Sequence, residues 1–133
     1  MEEVPQAGDR AAAAPALTVL DQVTPPPLRE RPPLDPASAA GVAALFKILA
    51  SDTRLRLLHA LTRSAEVRVT DLATEVAMSP QAVSNQLQRL VDQRIVATRR
   101  DGTNVYYRVV DRCVPRLLEL GWCLYDTTQE PTD

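Results

Sequence analysis

Aromatic residues are scarce in this chain of 133 residues: one phenylalanine, one tryptophan and three tyrosines make up 4% of it. Leucine, valine and alanine must therefore build whatever core forms. The four glycines (Gly8, Gly41, Gly102, Gly121) are scattered, which excludes a glycine-rich phosphate loop. A single histidine, His59, cannot supply the base-and-orienter arrangement that activates a serine or cysteine nucleophile, so no catalytic site is expected. His59 itself, with no ligand-type neighbour in sequence, reads as a surface or helix-end residue. No apolar run reaches membrane-spanning length, and residues 11–23 lack the basic start and long apolar stretch of a signal peptide. A cytoplasmic protein without membrane contact is expected.

What is present is unevenly distributed. The formal net charge of −2 divides into a 1–36 segment with three arginines against six acids, a 125–133 segment with three acids, and a middle with twelve Lys/Arg against eight Asp/Glu. A basic middle between acidic ends is compatible with phosphate contact. Eight of the eleven prolines also lie in 1–36, where each removes a backbone donor and disfavours helix at the preceding residue. The organisation expected is a disordered Pro/Ala-rich acidic arm over 1–36, one domain over 37–125 and an acidic tail over 126–133. Ala11–Val23 is the one stretch of the arm that could form a transient helix.

Inside the middle segment, Ser79–Val91 (SPQAVSNQLQRLV) carries the clearest helical signal. Ser79 is a good N-cap and Pro80 suits the first helical position. Val83, Leu87, Leu90 and Val91 form one apolar stripe, while Gln81, Ser84, Asn85, Gln88 and Arg89 share the opposite face. Amides, hydroxyls and one guanidinium, with no acid before Asp92, suit the floor of a DNA major groove. Any amphipathic surface helix has a polar face, so the flanks decide.

Before it, Val69–Ala77 reads as a shorter helix capped by Thr70 with Leu72, Ala73 and Val76 inward; the brief connection through Met78 makes the pair a helix-turn-helix. After it, β-branched runs at Ile95–Arg99 and Val105–Val109 flank Arg100-Asp101-Gly102-Thr103-Asn104, a hairpin signal because glycine takes the positive φ of the turn. That hairpin would be a wing. Arg99 and Arg100 lead into its tip, Thr103 and Asn104 lie at it and Arg108 follows, placing cations where a wing meets phosphates. Ahead of these, Ala37–Ala50 is a small-residue helix with Val42, Leu45, Phe46 and Leu49 on one side. Ser51 and Asp52 cap a helix to Leu61, with Leu55, Leu58 and Leu61 inward and Arg54 and Arg56 outside.

The order of these elements, with DTRLRLLHAL (52–61), VTDLA (69–73), SPQAVSNQLQRL and DGTNVYYRV (101–109), resembles the ArsR/SmtB family of bacterial repressors over roughly Ala37–Tyr125. The resemblance implies a mainly α fold with a small β-hairpin (α+β), a winged helix-turn-helix dimerising through its first and last helices. It also implies a homodimer that sits on double-stranded operator DNA and leaves when an inducer binds. The DNA-contacting residues implied are Ser79, Gln81, Ser84, Asn85, Gln88, Arg89, Arg99, Arg100, Thr103 and Asn104.

The inducer chemistry departs from the family's patterns. Many members keep a thiolate site in a Glu-Leu-Cys-Val-Cys-Asp-Leu run; here Glu66-Val67-Arg68-Val69-Thr70-Asp71-Leu72 puts arginine and threonine where the sulfurs would be. A second family site pairs Asp-x-His of one last helix with His-x-x-Glu or His-x-x-His of the other. Here Asp111-x-Cys113 and Cys123-x-x-Asp126 occupy the corresponding segment, with cysteine for histidine and a spacing shorter by one residue. Ten residues of helix hold two sulfurs about 15 Å apart, so one chain cannot clamp one ion with both. Antiparallel pairing about a two-fold axis would bring Asp111 and Cys113 of one chain to Cys123 and Asp126 of its partner. That set of two thiolates and two carboxylates is acceptable to Zn2+ or another thiophilic divalent metal. Two alternatives stay open: a redox- or persulfide-responsive repressor using the same cysteines, and a winged-helix protein-interaction module that does not bind DNA. The cysteines could also simply pack in a seam where Gly121 permits close approach.

Overall fold

A computed structural model describes residues 24–131. Most of the arm expected to be disordered, including the Ala11–Val23 stretch that could form a transient helix, and the last two residues of the tail lie outside them. Residues 24–35 run extended and exposed apart from one 3-10 turn at Leu28–Glu30. Helix α1 spans Pro36–Leu49. It begins where the Asp35 carboxylate accepts the Ser38 amide at 2.8 Å, a bond that holds the Asp35 carboxyl below the usual carboxylate range. Helix α2, Asp52–Thr62, is capped by Ser51 Oγ accepting from the Arg54 amide. A two-residue strand β1 (Val67–Arg68) leads directly into α3 (Val69–Val76), and α4 covers Pro80–Asp92. Strands β2 (Val96–Asp101) and β3 (Asn104–Val109) form the hairpin, and α5 runs Val114–Gln129. The sheet is antiparallel in the order β1-β3-β2, so β2 is an edge strand paired only with β3.

One core joins these pieces. Leu57, Leu58 and Leu61 of α2, Leu72 and Val76 of α3, and Val83, Leu87 and Leu90 of α4 meet Val96, Tyr107 and Val114. A buried leucine contributes about 1.5–3 kcal/mol relative to an exposed one, so this leucine-rich centre carries the fold despite the shortage of aromatics.

Several local expectations are corrected. Leu55 is exposed and Leu57 takes its place in the core. The reason is Arg54: it is half-buried and points toward α4, its Nε donating to the Ile48 carbonyl at 2.6 Å and a terminal nitrogen donating to Gln86 Oε1 at 3.0 Å. The inward stripe is therefore 54, 57, 58, 61. Arg56 stays exposed but donates to the Val76 carbonyl. Thr70 does not cap α3. The pairing of β1 keeps the chain extended through Arg68, so the helix starts at Val69 and Thr70 already lies in its first turn, its carbonyl accepting from Thr74 Oγ1. The hairpin strands are longer than expected, with only Gly102 and Thr103 between them and Gly102 at φ +64°. Helix α5 continues past Tyr125 to Gln129, so Asp126 belongs to the helix and not to a tail.

The turn between α3 and α4 holds Ala77 at φ 58°, ψ 48°, with the Met78 amide donating to the Ala73 carbonyl at 2.9 Å. This left-handed cap is a position glycine occupies without a Cβ penalty. Ala77→Gly should raise the unfolding free energy by about 0.5–1 kcal/mol, the relieved strain exceeding the added chain entropy. Denaturant titration at fixed protein concentration measures it.

Candidate nucleic-acid interface and the cysteines of the last helix

Helix α4 is oriented by its buried side. Ser79 Oγ accepts the Ala82 amide at 3.1 Å, Pro80 opens the helix, and Val83, Leu87 and Leu90 are fully buried. That leaves Gln81, Asn85, Gln88 and Arg89 on the surface. Gln81 Nε2 donates to Asn85 Oδ1 at 3.0 Å and Gln88 Nε2 to Asp92 Oδ1 at 2.8 Å. These exposed amide pairs can exchange partners for base edges at little cost, since each is already open to water. Ser84 differs: it is half-buried, 3.4 Å from the Tyr107 hydroxyl, and marks where α4 meets the wing.

In the wing, side chains alternate between two faces. Val96, Thr98 and Arg100 of β2 share the inner face with Val105 and Tyr107 of β3, whereas Arg99 and Arg108 point outward with Tyr106 and, from β1, Arg68. Arg100 thus lies on the side toward α4 and makes no ion pair among the described residues. Arg99 is engaged: its Nε and a terminal nitrogen donate to the two Glu66 oxygens at 2.9 and 2.8 Å, and its guanidinium sits 4.4 Å over the Tyr106 ring. The bond to Arg99 is the main cause holding the Glu66 carboxyl below its ordinary range. With the folded value depressed, the pair's contribution is complete at neutral pH and lost as pH falls through that lowered value. The period-two alternation could have separated Arg99 from Arg100. Nothing in sequence tied Arg99 to Glu66, 33 residues away. Thr103 is exposed at the tip and Asn104, half-buried, faces Asp101 across the turn.

At the other end of the domain, Asp111 Oδ1 accepts the amides of Cys113 (2.8 Å) and Val114 (3.1 Å); the helix begins later than expected, so Cys113 and not Asp111 stands at its N-cap position. Cys113 and Cys123 are free and exposed, and among the described residues no three metal-ligating side chains come together within one chain. Cys113 precedes the first helical residue, and Cys123 and Asp126 lie on the exposed part of α5. Around Cys123 exposed apolar side chains predominate. Leu120, Trp122, Leu124 and Tyr125 are each more than half exposed, His59 contacts Trp122 edge-on at 5.2 Å, and α1 buries no residue at all. Between α1, α2 and α5 lies an open apolar groove of about 730 Å³, lined by Phe46, Leu55, Leu117 and Trp122 among others. His59 is thus a surface residue, as expected. No helix among the described residues is long and apolar enough to cross a membrane.

A short-turn helix pair, a buried-stripe recognition helix and a β-hairpin wing define a winged helix-turn-helix domain. A model of the MarR family matches residues 51–104, the span from α2 to the wing tip. The chain is 47% identical over 79 residues to a transcriptional repressor SmtB homolog of Synechocystis, an alignment covering 59% of this chain and 59% of that relative. The alignment thus spans about three fifths of that relative's length. Among solved structures it is similar to the AntR antimony-specific transcriptional repressor, at 55% identity and TM-score 0.70 over 82% of this chain and 98% of that one. It is also similar to a homodimeric winged helix-turn-helix DNA-binding domain from Mycobacterium bovis, at 33% identity and TM-score 0.60 over 72% and 91% of the two chains. The chain belongs to the ArsR/SmtB family of transcriptional repressors, a family of regulators and not of enzymes.

Proposed function

We propose that this chain, as a homodimer, represses transcription by binding double-stranded operator DNA, and that a thiophilic ion held between the two last helices releases it. The observation that carries the reading is the pair of free, exposed cysteines, Cys113 just before α5 and Cys123 on it, the latter among exposed apolar residues that one chain leaves uncovered. A 14-residue helix with no buried residue, such as α1, is marginal in water on its own and needs a partner surface. A second copy supplies one of matching character, and a structural relative at 55% identity is described as an antimony-specific repressor.

In this arrangement α4 enters the major groove with Gln81, Asn85, Gln88 and Arg89 toward the bases and backbone. Ser79 at its start and Thr103 and Asn104 at the wing tip lie along the phosphates, and Ser84 sets the wing against the helix. The donor set fits a soft ion only across two chains: Cys113 of one subunit with Cys123 of the partner subunit, joined by Asp126 and by the Asp111 oxygen that the helix amides leave free. Zinc, cadmium or trivalent antimony would gain strong sulfur bonds there. The route to α4 is short. The amides of Val110 and Asp111 donate to the Ile95 carbonyl at 2.9 and 3.3 Å, and the Ile95 amide donates to Leu90 of α4 at 2.9 Å. A shift of Cys113 therefore pulls on the end of the recognition helix. The ion releases DNA to the extent that it binds the DNA-incompetent dimer more tightly, typically by about 1–3 kcal/mol.

The test is operator binding by fluorescence anisotropy across a salt series, with reduced protein and with zinc, cadmium or antimonite added. Arg89→Gln and Arg100→Gln should weaken binding at all sequences and lower the salt slope by about 1 each. Release by an ion supports the reading. Release only by an oxidant or a persulfide donor would favour the same cysteines acting as a redox switch, and the absence of any salt-dependent DNA binding would favour a protein-interaction module.

A further inference from the structure

Glu66 stands one residue before β1, and β1 and β2 flank β3 without touching each other's backbone. The Glu66–Arg99 pair crosses β3 and joins them. The guanidinium is held in two ways at once: both carboxylate oxygens occupy its fork and the Tyr106 ring lies against its face. Those contacts fix the plane of the group and not merely its charge. Arg68, opposite Tyr106 on the same face, is itself paired with Asp71 at 3.3 Å. On the outer face Arg99 and Arg68 are therefore each held by an acid, whereas Arg108 on that face and Arg100 on the inner face make no ion pair among the described residues.

We propose that Arg99 is a positioning residue and not a phosphate contact: Glu66 and Tyr106 hold it as a brace that sets the angle of the wing against α4, and Glu66 thereby promotes operator binding. The proposal rests on the DNA-binding reading above. A bidentate carboxylate on a phosphate ligand would work against that ligand, because DNA would have to displace it and would meet an acid at the contact. An arginine already neutralised releases few counterions when DNA arrives. An exposed ion pair of this kind also adds little to global stability, so its consequence lies in the geometry of an edge strand that joins the sheet through β3 alone.

The experiment compares E66Q, R99Q, the double variant and R100Q in the full chain. Specific and non-specific DNA affinities are measured over a salt series, alongside thermal unfolding. A brace predicts that E66Q and R99Q each weaken operator binding several-fold with the salt slope unchanged, and that the double variant is no worse than either. It also predicts that non-specific affinity and unfolding temperature hardly move, while R100Q alone lowers the slope by about 1. Tighter binding by E66Q, with a slope lowered by about 1 in R99Q, would overturn the brace and make Arg99 a phosphate ligand that Glu66 restrains. Unchanged operator affinity in both variants would overturn it as well. Absence of DNA binding by the unmodified protein would overturn the DNA-binding reading itself, a result distinct from either.

Discussion

Leu87→Ala should lower the unfolding free energy by about 2–5 kcal/mol, a large part of what a domain of this size has to spare. Leu87 is fully buried at the centre of α4, one turn from Val83 and nearly one from Leu90, and it faces the leucines of α2 and α3. Truncation removes apolar area from the core and leaves a cavity that a two-layer domain with few aromatics has little material to fill. The loss also reaches function, because the side chain that anchors the core is on the helix whose opposite face is proposed to read DNA. Chemical denaturation at several protein concentrations gives the number and separates unfolding from dimer dissociation. Gln88→Ala, next in the chain but exposed, should stay within about 0.5 kcal/mol of the parent. Equal effects of the two would mean that α4 is rotated from the orientation described.

The second large effect concerns the cysteines. Cys113→Ser and Cys123→Ser should each abolish stoichiometric ion binding, and with it the change in operator affinity of about 5- to 150-fold that a coupling of 1–3 kcal/mol represents. Mixing the two inactive variants and allowing subunits to exchange should restore binding. In a heterodimer the chain with serine at position 113 still offers Cys123, and its partner still offers Cys113, so one of the two symmetric sites is intact. With random exchange half the dimers are mixed, and the thiolate charge-transfer absorbance should recover to about a quarter of the parent value. No recovery on mixing would place the ion within single chains. Full binding by either single variant would remove that cysteine from the site. Asp111→Ala is expected to act differently from both, weakening the start of α5 through the lost cap on the Cys113 and Val114 amides whether or not an ion is present.

Much of this molecule is decided locally. Ser79 before Pro80, the 83-87-90 apolar spacing and Asp101-Gly102 between β-branched runs are signals within a few residues of each other, and each produced the element its chemistry favours. Capping, helical period and turn geometry are short-range effects, so a chain read in order reveals them. Departures arose where a distant group intervened. Arg54 turned inward because the Ile48 carbonyl and Gln86 were there to accept from it, which displaced Leu55 from the core in favour of Leu57. Strand β1 is two residues long and exists only because β3 offers it a ladder, and its presence moved the start of α3 away from Thr70.

The same division runs through the functional surfaces. The amide-rich face of α4 and the cysteines of the last segment were visible as residue types, because a helix places its faces by period alone. Which wing arginine is free and which is held was decided only by the fold, since the Glu66 that engages Arg99 is brought to it by sheet pairing across 33 residues. The sequence by itself determined the five helices and the hairpin, their order and which helix carries the polar face proposed to meet DNA. Tertiary structure decided that Glu66 engages Arg99, that Arg54 turns inward and how much apolar surface α1 and α5 leave uncovered, because those depend on groups meeting through space at separations no local pattern encodes.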